Sequence, residues 1–296
     1  MNACVIANPA AGRGRARRLL PEIRNSFDKI GITDFQVTTG ASDEEALALR
    51  SLDRGVETIA VVGGDGTCSR VANAILRAQA DCRLAVVATG TGNDFAKTLG
   101  VRGYAPAEVA ALCAEPSSTR IDVGRADGIY FLNSCGFGFD ASVLEASEKV
   151  RWLKGDAVYI YSALAQLLTY RGVDVSIDGV AASGKMLMIT VSNGRSFGGA
   201  FRIAPRASVV DSDLDTGFFR DCSILDRVRL FAAAIRGTHE KLPSVKTRRV
   251  RLLSLSFGST PSMEMDGELR HATSKTVLVE CAASSLSVVA APGALV

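Results

Sequence analysis

Histidine is nearly absent. His239 and His271 are the only two in 296 residues, so a histidine-based metal centre is not expected. The seven cysteines (Cys4, Cys68, Cys82, Cys113, Cys135, Cys222 and Cys281) are odd in number and form no C-x-x-C pair. That scatter suits reduced, buried thiols in a cytoplasmic protein and argues against a disulfide frame or a zinc site. No apolar run reaches the length of a membrane span, so no transmembrane helix is expected. The opening MNACVIANPAAGRG runs from a short apolar strand into a glycine loop, unlike a signal peptide. Charge of neither sign dominates, and a net +3 is too mild to indicate a nucleic-acid partner. There is no internal repeat, low-complexity linker or long charge run.

What is present reads as a globular enzyme. Hydrophobic residues make up 47% and charged residues 22%, and the length suffices for two domains. Up to about residue 120, short β-rich runs alternate with helical patterns, the mark of a parallel sheet with helices on its faces. ACVIAN (3–8), FQVTT (35–39), TIAVVGG (58–64) and RLAVVAT (83–89) read as strands. Helices are expected over 15–31, after Ser42 as N-cap with Glu45 completing a capping box, over 67–79, and near NDFAKTLG. Beyond Arg120, strand-like pieces with glycine turns dominate: IDVGRA, GIYFLNSCGF, VDVSIDG, KMLMITVSNG, FRIAP, LDTGFFR, RRVRLLSLSF, SMEMDGE and KTVLVECA. Two helical segments, 154–170 and 224–236, interrupt them. The expected fold is thus an α/β domain followed by a mainly β, sandwich-like domain. A ligand cleft between the two is the expectation.

Chemistry concentrates in the loops that follow the strands. VVGGDGT sits at a strand end and opens a helix, where glycines let backbone N–H groups approach an anion. Thr67 can cap that helix and bind a phosphate oxygen. Asp65 beside phosphates calls for a divalent cation or ordered water, so a nucleotide with magnesium is the natural ligand. A plain strand-to-helix turn is the bland alternative. NPAAGRGR after the first strand and Gly90-Thr91-Gly92-Asn93-Asp94 after the fourth occupy equivalent positions and could line the same nucleotide. Neither a Walker loop nor the spaced glycines of the dinucleotide fingerprint occurs. Near the end, Met265-Asp266-Gly267-Glu268 places two carboxylates around a glycine. It reads as an exposed turn between strands or as a base for phosphoryl transfer to an alcohol.

Taken together, NPAAGRG, VVGGDGTCSRVANAI and TGTGNDFAKTLG resemble the diacylglycerol kinase and sphingosine kinase type of lipid kinase, in particular its soluble bacterial branch. The likeness continues through IDVGRADGIYFLNSCGFGFDA, VSNGRSFGGAFRIAP, DSDLDTGF and EMDGE, and so covers nearly the whole chain. GGDGT alone is shared with NAD kinases. The resemblance implies that Asn8, Pro9, Ala10, Ala11, Gly12, Thr39, Gly64, Asp65, Gly66, Thr67, Cys68, Ser69, Arg70 and Thr91 hold ATP. It implies that Asp65 and Asp94 order a magnesium–water network, and that Asp266 or Glu268, reaching the cleft from the second domain, is the base. A structural magnesium would lie at the Asp211 side chain and carbonyl groups near Ser208 and Asp213. The implied domains are 1–122 for ATP, 123–285 for the lipid, and 286–296 as a segment able to return to the first.

The chain also departs from that family's pattern. Cys68-Ser69-Arg70 stands where a small residue, asparagine and glutamate are usual; Ser212 replaces a glycine, and Ala200 stands within an expected FGGG. The expected activity is an ATP- and Mg2+-dependent lipid kinase acting on diacylglycerol, ceramide, a sphingoid base or another long-chain alcohol. The alternatives are a NAD kinase-like phosphotransferase and a nucleotide- or lipid-binding regulator. Arg13-Arg15-Arg17-Arg18 and Lys246-Arg248-Arg249-Arg251 are either anionic-headgroup contacts or solvated faces. The uncharged AVYIYSALAQLLTY reads as core that could line a lipid cleft. Lipid met at the inner membrane surface by a cytoplasmic protein is the expected partner, with a homodimer left open.

Overall fold

A computed structural model of the chain describes residues 2–40, 43–149, 156–182 and 184–295. The chain folds as two compact units: Met1–Val123 with Ser208–Ser212 and Ala282–Val296, and Gly124–Ala207 with Asp213–Cys281.

The first unit is the α/β layer. β1 (Ala3–Ala7), α1 (Ala11–Asp28), β2 (Asp34–Val37), α2 (Asp43–Asp53), β3 (Thr58–Gly63), α3 (Asp65–Arg77) and β4 (Arg83–Ala88) follow in strict alternation, then α4 (Asp94–Thr98) and α5 (Pro106–Ala114). The strands pair in parallel in the order β2-β1-β3-β4. β1 and β3 are buried along their whole length, which is why they read as unbroken apolar runs without alternation. Strand order reverses between β1 and β3, so the loops leaving those two strands flank the crevice where open α/β sheets bind ligands. Pro106, buried at the start of α5, opens a helix that the sequence pattern does not announce. Ser42 lies outside the described residues; α2 begins at Asp43, whose Oδ2 accepts the N–H groups of Thr39 and Gly40.

Next come β5 (Thr119–Ala126), β6 (Ile129–Phe131), β7 (Ser134–Gly138), α6 (Phe139–Lys149) and α7 (Asp156–Thr169). The chain continues with β8 (Val175–Ile177), β9 (Val180–Ala181), β10 (Met186–Ser192), β11 (Leu214–Arg220) and α8 (Ile224–Arg236). It closes with β12 (Val245–Val250), β13 (Leu252–Phe257), β14 (Ser262–Met265), β15 (Glu268–His271) and β16 (Thr276–Val288). The second unit carries an antiparallel sheet in the order β12-β11-β10-β7-β14-β15. Facing it, β13 pairs antiparallel with the start of β16 and with β8. The two layers share a core in which the Phe137 and Phe257 rings stack 5.4 Å apart. Period-two alternation sends Phe218 into this core and its neighbour Phe219 to the opposite face, against α6, α7 and α8. The expected α/β plus mainly β architecture is the observed one.

Three sequence expectations are corrected here. FRIAP is not a strand; Phe201 makes one isolated bridge to Phe197 and no ladder follows. RRVRLLSLSF is not one strand, because the chain breaks at Arg251, so that β12 joins the six-stranded sheet and β13 the facing layer. α6 arises where only strands were expected, immediately after Gly138 at φ +102 turns the chain out of β7.

Within the first unit, Asp122 is buried and fastens two returning segments. Its Oδ2 accepts Ser212 N–H at 2.6 Å, its Oδ1 accepts Ser284 N–H at 2.7 Å, and its own N–H donates to Val209. Removing the carboxylate strands two amide donors. Asp122→Ala should therefore lose roughly 3 kcal/mol of stability in urea-induced unfolding, while Ser118→Ala on the same exposed approach changes little.

Candidate active site

Three loops at the carboxyl ends of β1, β3 and β4 touch through their backbones. Gly12 sits at φ +59, and a Cβ there would lie 1.9 Å from the Thr89 carbonyl oxygen. Gly64 and Gly90 face each other so closely that a Cβ on Gly90 would lie 2.6 Å from the Gly64 Cα. At Gly63 the Cβ would meet Thr67 at 2.5 Å. The glycines of VVGGDGT therefore permit loop-to-loop packing as well as approach to a ligand. Arg13, at φ +58 between two left-handed glycines, continues the same unwound entry into α1.

Asn8 ties these loops to α2. Its Oδ1 accepts Ala10 N–H at 2.9 Å, and its Nδ2 donates to Glu44 Oε1 at 2.9 Å and to Thr67 Oγ1 at 3.3 Å. Its backbone N–H donates to Val62 O, fixing the end of β1 against β3. Glu44 is 1% exposed, and Arg70 from α3 lies 3.5 Å from its other oxygen. Arg70 thus stands opposite a buried carboxylate, and its charge is matched within this chain. Sequence reasoning missed Glu44, which read only as an acid in the first turn of a helix. Thr39 is exposed and held by Asp43, whose carboxyl the Thr39 and Gly40 hydrogen bonds keep below its ordinary range.

The acidic pair of the third loop is also assembled. Asp65 Oδ1 accepts Phe95 N–H at 2.9 Å, capping α4 from outside. Burial chiefly, and the neighbouring Asp94 charge after it, push the Asp65 carboxyl above its usual range, opposed by the Phe95 and Asp94 amides. Asp94 is itself buried and pairs with Lys97 at 2.5 Å. Pro9, Ala10, Ala11, Gly66 and Ser69 are partly or fully accessible along the same strand ends, Thr91 is exposed, and Cys68 is buried beneath them.

In the second unit, Asp266 and Gly267 form the two-residue turn between β14 and β15, with φ +49 and +89, as a type I′ hairpin requires. The turn is not exposed. Asp266 is 6% accessible, and its carboxylate accepts N–H groups of Leu132, Asn133 and Ser134 at 2.8, 2.8 and 3.3 Å. Glu268 is half-buried and pairs with Arg270 at 2.7 Å. The metal candidates fall in both units. Ser208 and Asp211 belong to the first unit and Asp213 to the second, where Arg249 and Arg251 pair with it. Ser212 adopts φ +64, the backbone of the glycine it replaces. Among the described residues no three His, Cys, Asp or Glu side chains are grouped to hold a metal ion. The strand cations are mostly neutralised, Arg248 by Asp178 and the other two arginines by Asp213.

The second unit also encloses an apolar cavity of about 210 Å3 between α7, α8 and the outer face of the six-stranded sheet. Leu164, Leu167, Met188, Phe219 and Phe231 are among its walls, and Asp140 is the one titratable residue of its lining among the described residues. The absence of a side chain at Gly136 makes room for its carboxyl, since a Cβ there would lie 1.6 Å from Asp140 Oδ2. Oδ1 accepts Ala141 N–H at the start of α6, while Oδ2 has no hydrogen-bond partner among the described residues. The sequence contained GFGFDA, but nothing in it revealed that the aspartate would face apolar space.

A diacylglycerol kinase catalytic domain model matches residues 2–126, and a YegS C-terminal NAD kinase beta sandwich-like domain model matches residues 133–290. The chain belongs to the diacylglycerol kinase family of lipid kinases. It is 26% identical to the diacylglycerol kinase of Bacillus subtilis (strain 168), across 89% of this chain and 88% of that protein. With the diacylglycerol kinase of Staphylococcus carnosus (strain TM300) it shares 28% identity, across 89% and 87%. A crystal structure of a diacylglycerol kinase from Bacillus anthracis str. Sterne shares the fold, with a TM-score of 0.73 at 23% identity over 100% of this chain and 98% of that one. Membership of that family implies ATP as phosphoryl donor and a lipid as the acceptor class.

Burial of Asp140 raises its pKa from 3.8 to about 7. Between those values the native carboxyl keeps a proton that the unfolded one has released, so stability falls as pH rises through this window and levels off above it. Asp140→Asn should abolish that slope, a difference of up to roughly 4 kcal/mol between the two ends, read from urea midpoints at a series of pH values.

Proposed function

We propose that this chain transfers the γ-phosphoryl group of ATP, carried as its magnesium complex, to the hydroxyl of a lipid, with diacylglycerol the first choice. The observation that carries the lipid assignment is the apolar cavity in the unit that bears the acidic hairpin. A polar acceptor such as NAD would gain nothing from walls of leucine and phenylalanine, and its many hydrogen-bonding groups would be left without partners.

The nucleotide side rests on the first unit. Backbone N–H groups at the start of α3, opened by Gly64 and Gly66, suit the phosphates, since the first turn of a helix has no internal acceptors for them. Asn8, Gly12, Thr67, Ser69 and Thr91 line the same strand ends. Arg70, paired with Glu44, borders the same loops as a hydrogen-bond donor. Asp65 and Asp94 are the acids suited to ordering the water around the substrate's magnesium, with Lys97 limiting their mutual repulsion.

On the acceptor side, Glu268 is the better base. The Asp266 carboxylate is buried and taken up by three amide N–H groups, whereas Glu268 is half-buried and within reach of an acceptor hydroxyl from solvent. Glu268 takes the hydroxyl proton, the lipid oxygen bonds to the γ-phosphorus, and the bond to the β-bridging oxygen breaks to release ADP. Asp266 holds the 132–134 segment in place. Such a reaction belongs at the cytoplasmic surface of a membrane, where both ATP and the lipid are found.

Transfer of labelled γ-phosphate to diacylglycerol, ceramide, sphingosine, monoacylglycerol and NAD tests the reading. Label is expected in a lipid and absent with Asp65→Ala; label in NAD alone would overturn it. Glu268→Gln should lower kcat by about 100-fold or more with little change in fold, while Asp266→Asn should lower activity and stability together.

A further inference from the structure

The exposed apolar side chains are concentrated on two neighbouring helices. Among the described residues, seven of the thirteen large hydrophobics that stand exposed lie on α7 and α8. On α7 they are Tyr161, Leu164 and Leu168, spaced so as to share one face. On α8 they are Ile224, Leu225, Val228 and Ile235, again largely one face of the helix. Elsewhere such residues stand singly, as at Val37 or Leu49, and need no explanation.

This face is continuous with the cavity. Leu164 is 58% exposed and yet lines the cavity, so the cavity wall reaches the surface at that point. Leu167 on α7 and Leu230, Phe231 and Ala234 on α8 form the inner wall of the same two helices. Each helix therefore presents apolar side chains in both directions, inward to the cavity and outward to solvent. For a chain extracted from a bilayer, that arrangement keeps apolar surface on both sides of the passage.

The flanking charge is positive. Arg236 ends α8 exposed, and exposed Arg202 lies beside it, its N–H donating to Ala234 O at 3.0 Å. Arg171 is exposed just beyond α7. The acid on the α8 surface, Asp226, is paired with Arg229. An apolar face fringed by arginines fits the headgroup boundary of an anionic bilayer better than a neutral protein surface.

We infer that α7 and α8 form the surface by which the protein docks on an anionic lipid bilayer, with the mouth beside Leu164 opening into the membrane. The inference rests on the lipid-kinase reading for its purpose, but its test does not require turnover. Sedimentation with vesicles of phosphatidylcholine, with or without phosphatidylglycerol, is measured without ATP for three proteins: wild type, Leu168→Glu/Val228→Glu, and Arg202→Glu/Arg236→Glu. None of these four positions lines the cavity. Wild type should bind, and more tightly with phosphatidylglycerol. The apolar pair should weaken binding to both vesicles by about tenfold or more, and the arginine pair to the anionic vesicles only. Both variants should phosphorylate a short-chain, monomeric diacylglycerol as well as wild type does, while losing activity on diacylglycerol embedded in vesicles.

Vesicle binding absent in wild type, or unchanged in both variants, would overturn the inference. So would a wild-type dimer in sedimentation equilibrium that Leu168→Glu/Val228→Glu dissociates, because the face would then be covered by a second copy. Normal vesicle binding with no phosphate on any lipid would instead overturn the acceptor assignment and leave the docking face standing.

Discussion

The nucleotide side of this protein depends on backbone meeting backbone. The loops after β1, β3 and β4 are close enough that Gly12 rests on the Thr89 carbonyl and Gly64 on Gly90, with no room for a side chain at either contact. From that packing follow the unwound start of α1, the left-handed Arg13 and Asn93, and the meeting of Asp65 with the amide that opens α4. Asn8 then needs only a short carboxamide to reach α2 and α3 at once. That closeness makes the loops intolerant of any larger residue at these positions.

Four buried or half-buried carboxylates show how environment assigns different work to one functional group. Glu44 is neutralised by Arg70 and spends its other oxygen on Asn8. Asp266 is satisfied by three amides and acts as a fastener. Asp140 is buried next to an apolar cavity and retains its proton up to about pH 7. Glu268 is half-buried and pairs with Arg270. None of these differences is visible in the letters D and E.

Much of the first unit was legible because its signals are local. Continuous apolar runs marked β1, β3 and β4, and glycine loops after them marked the candidate site. Long-range pairing hid the rest. The alternation in FRIAP suits a strand, but Phe201 finds one bridge and no ladder. RRVRLLSLSF has uniform β propensity, and the break at Arg251 is set by which sheet each half joins. Asp266-Gly267 read as a turn between strands, but its burial was hidden, because the amides of 132–134 that receive the carboxylate lie far away in sequence. Glu44 likewise looked like an ordinary first-turn acid until Asn8 and Arg70 were found beside it.

The way the chain is threaded has a consequence for biosynthesis. The nucleotide-side unit is encoded first, yet it is not whole until Ala282–Val296 has been made. Ser287 and Val288 pair in parallel with β4, and Val289 sits in the same core as Val5 and Val62. A ribosome therefore releases β4 with its outer edge still open and the unit's core short of a side chain. That edge waits through the synthesis of the entire second unit. The unit begun first is completed last, and its open strand is where a nascent-chain chaperone would be needed most.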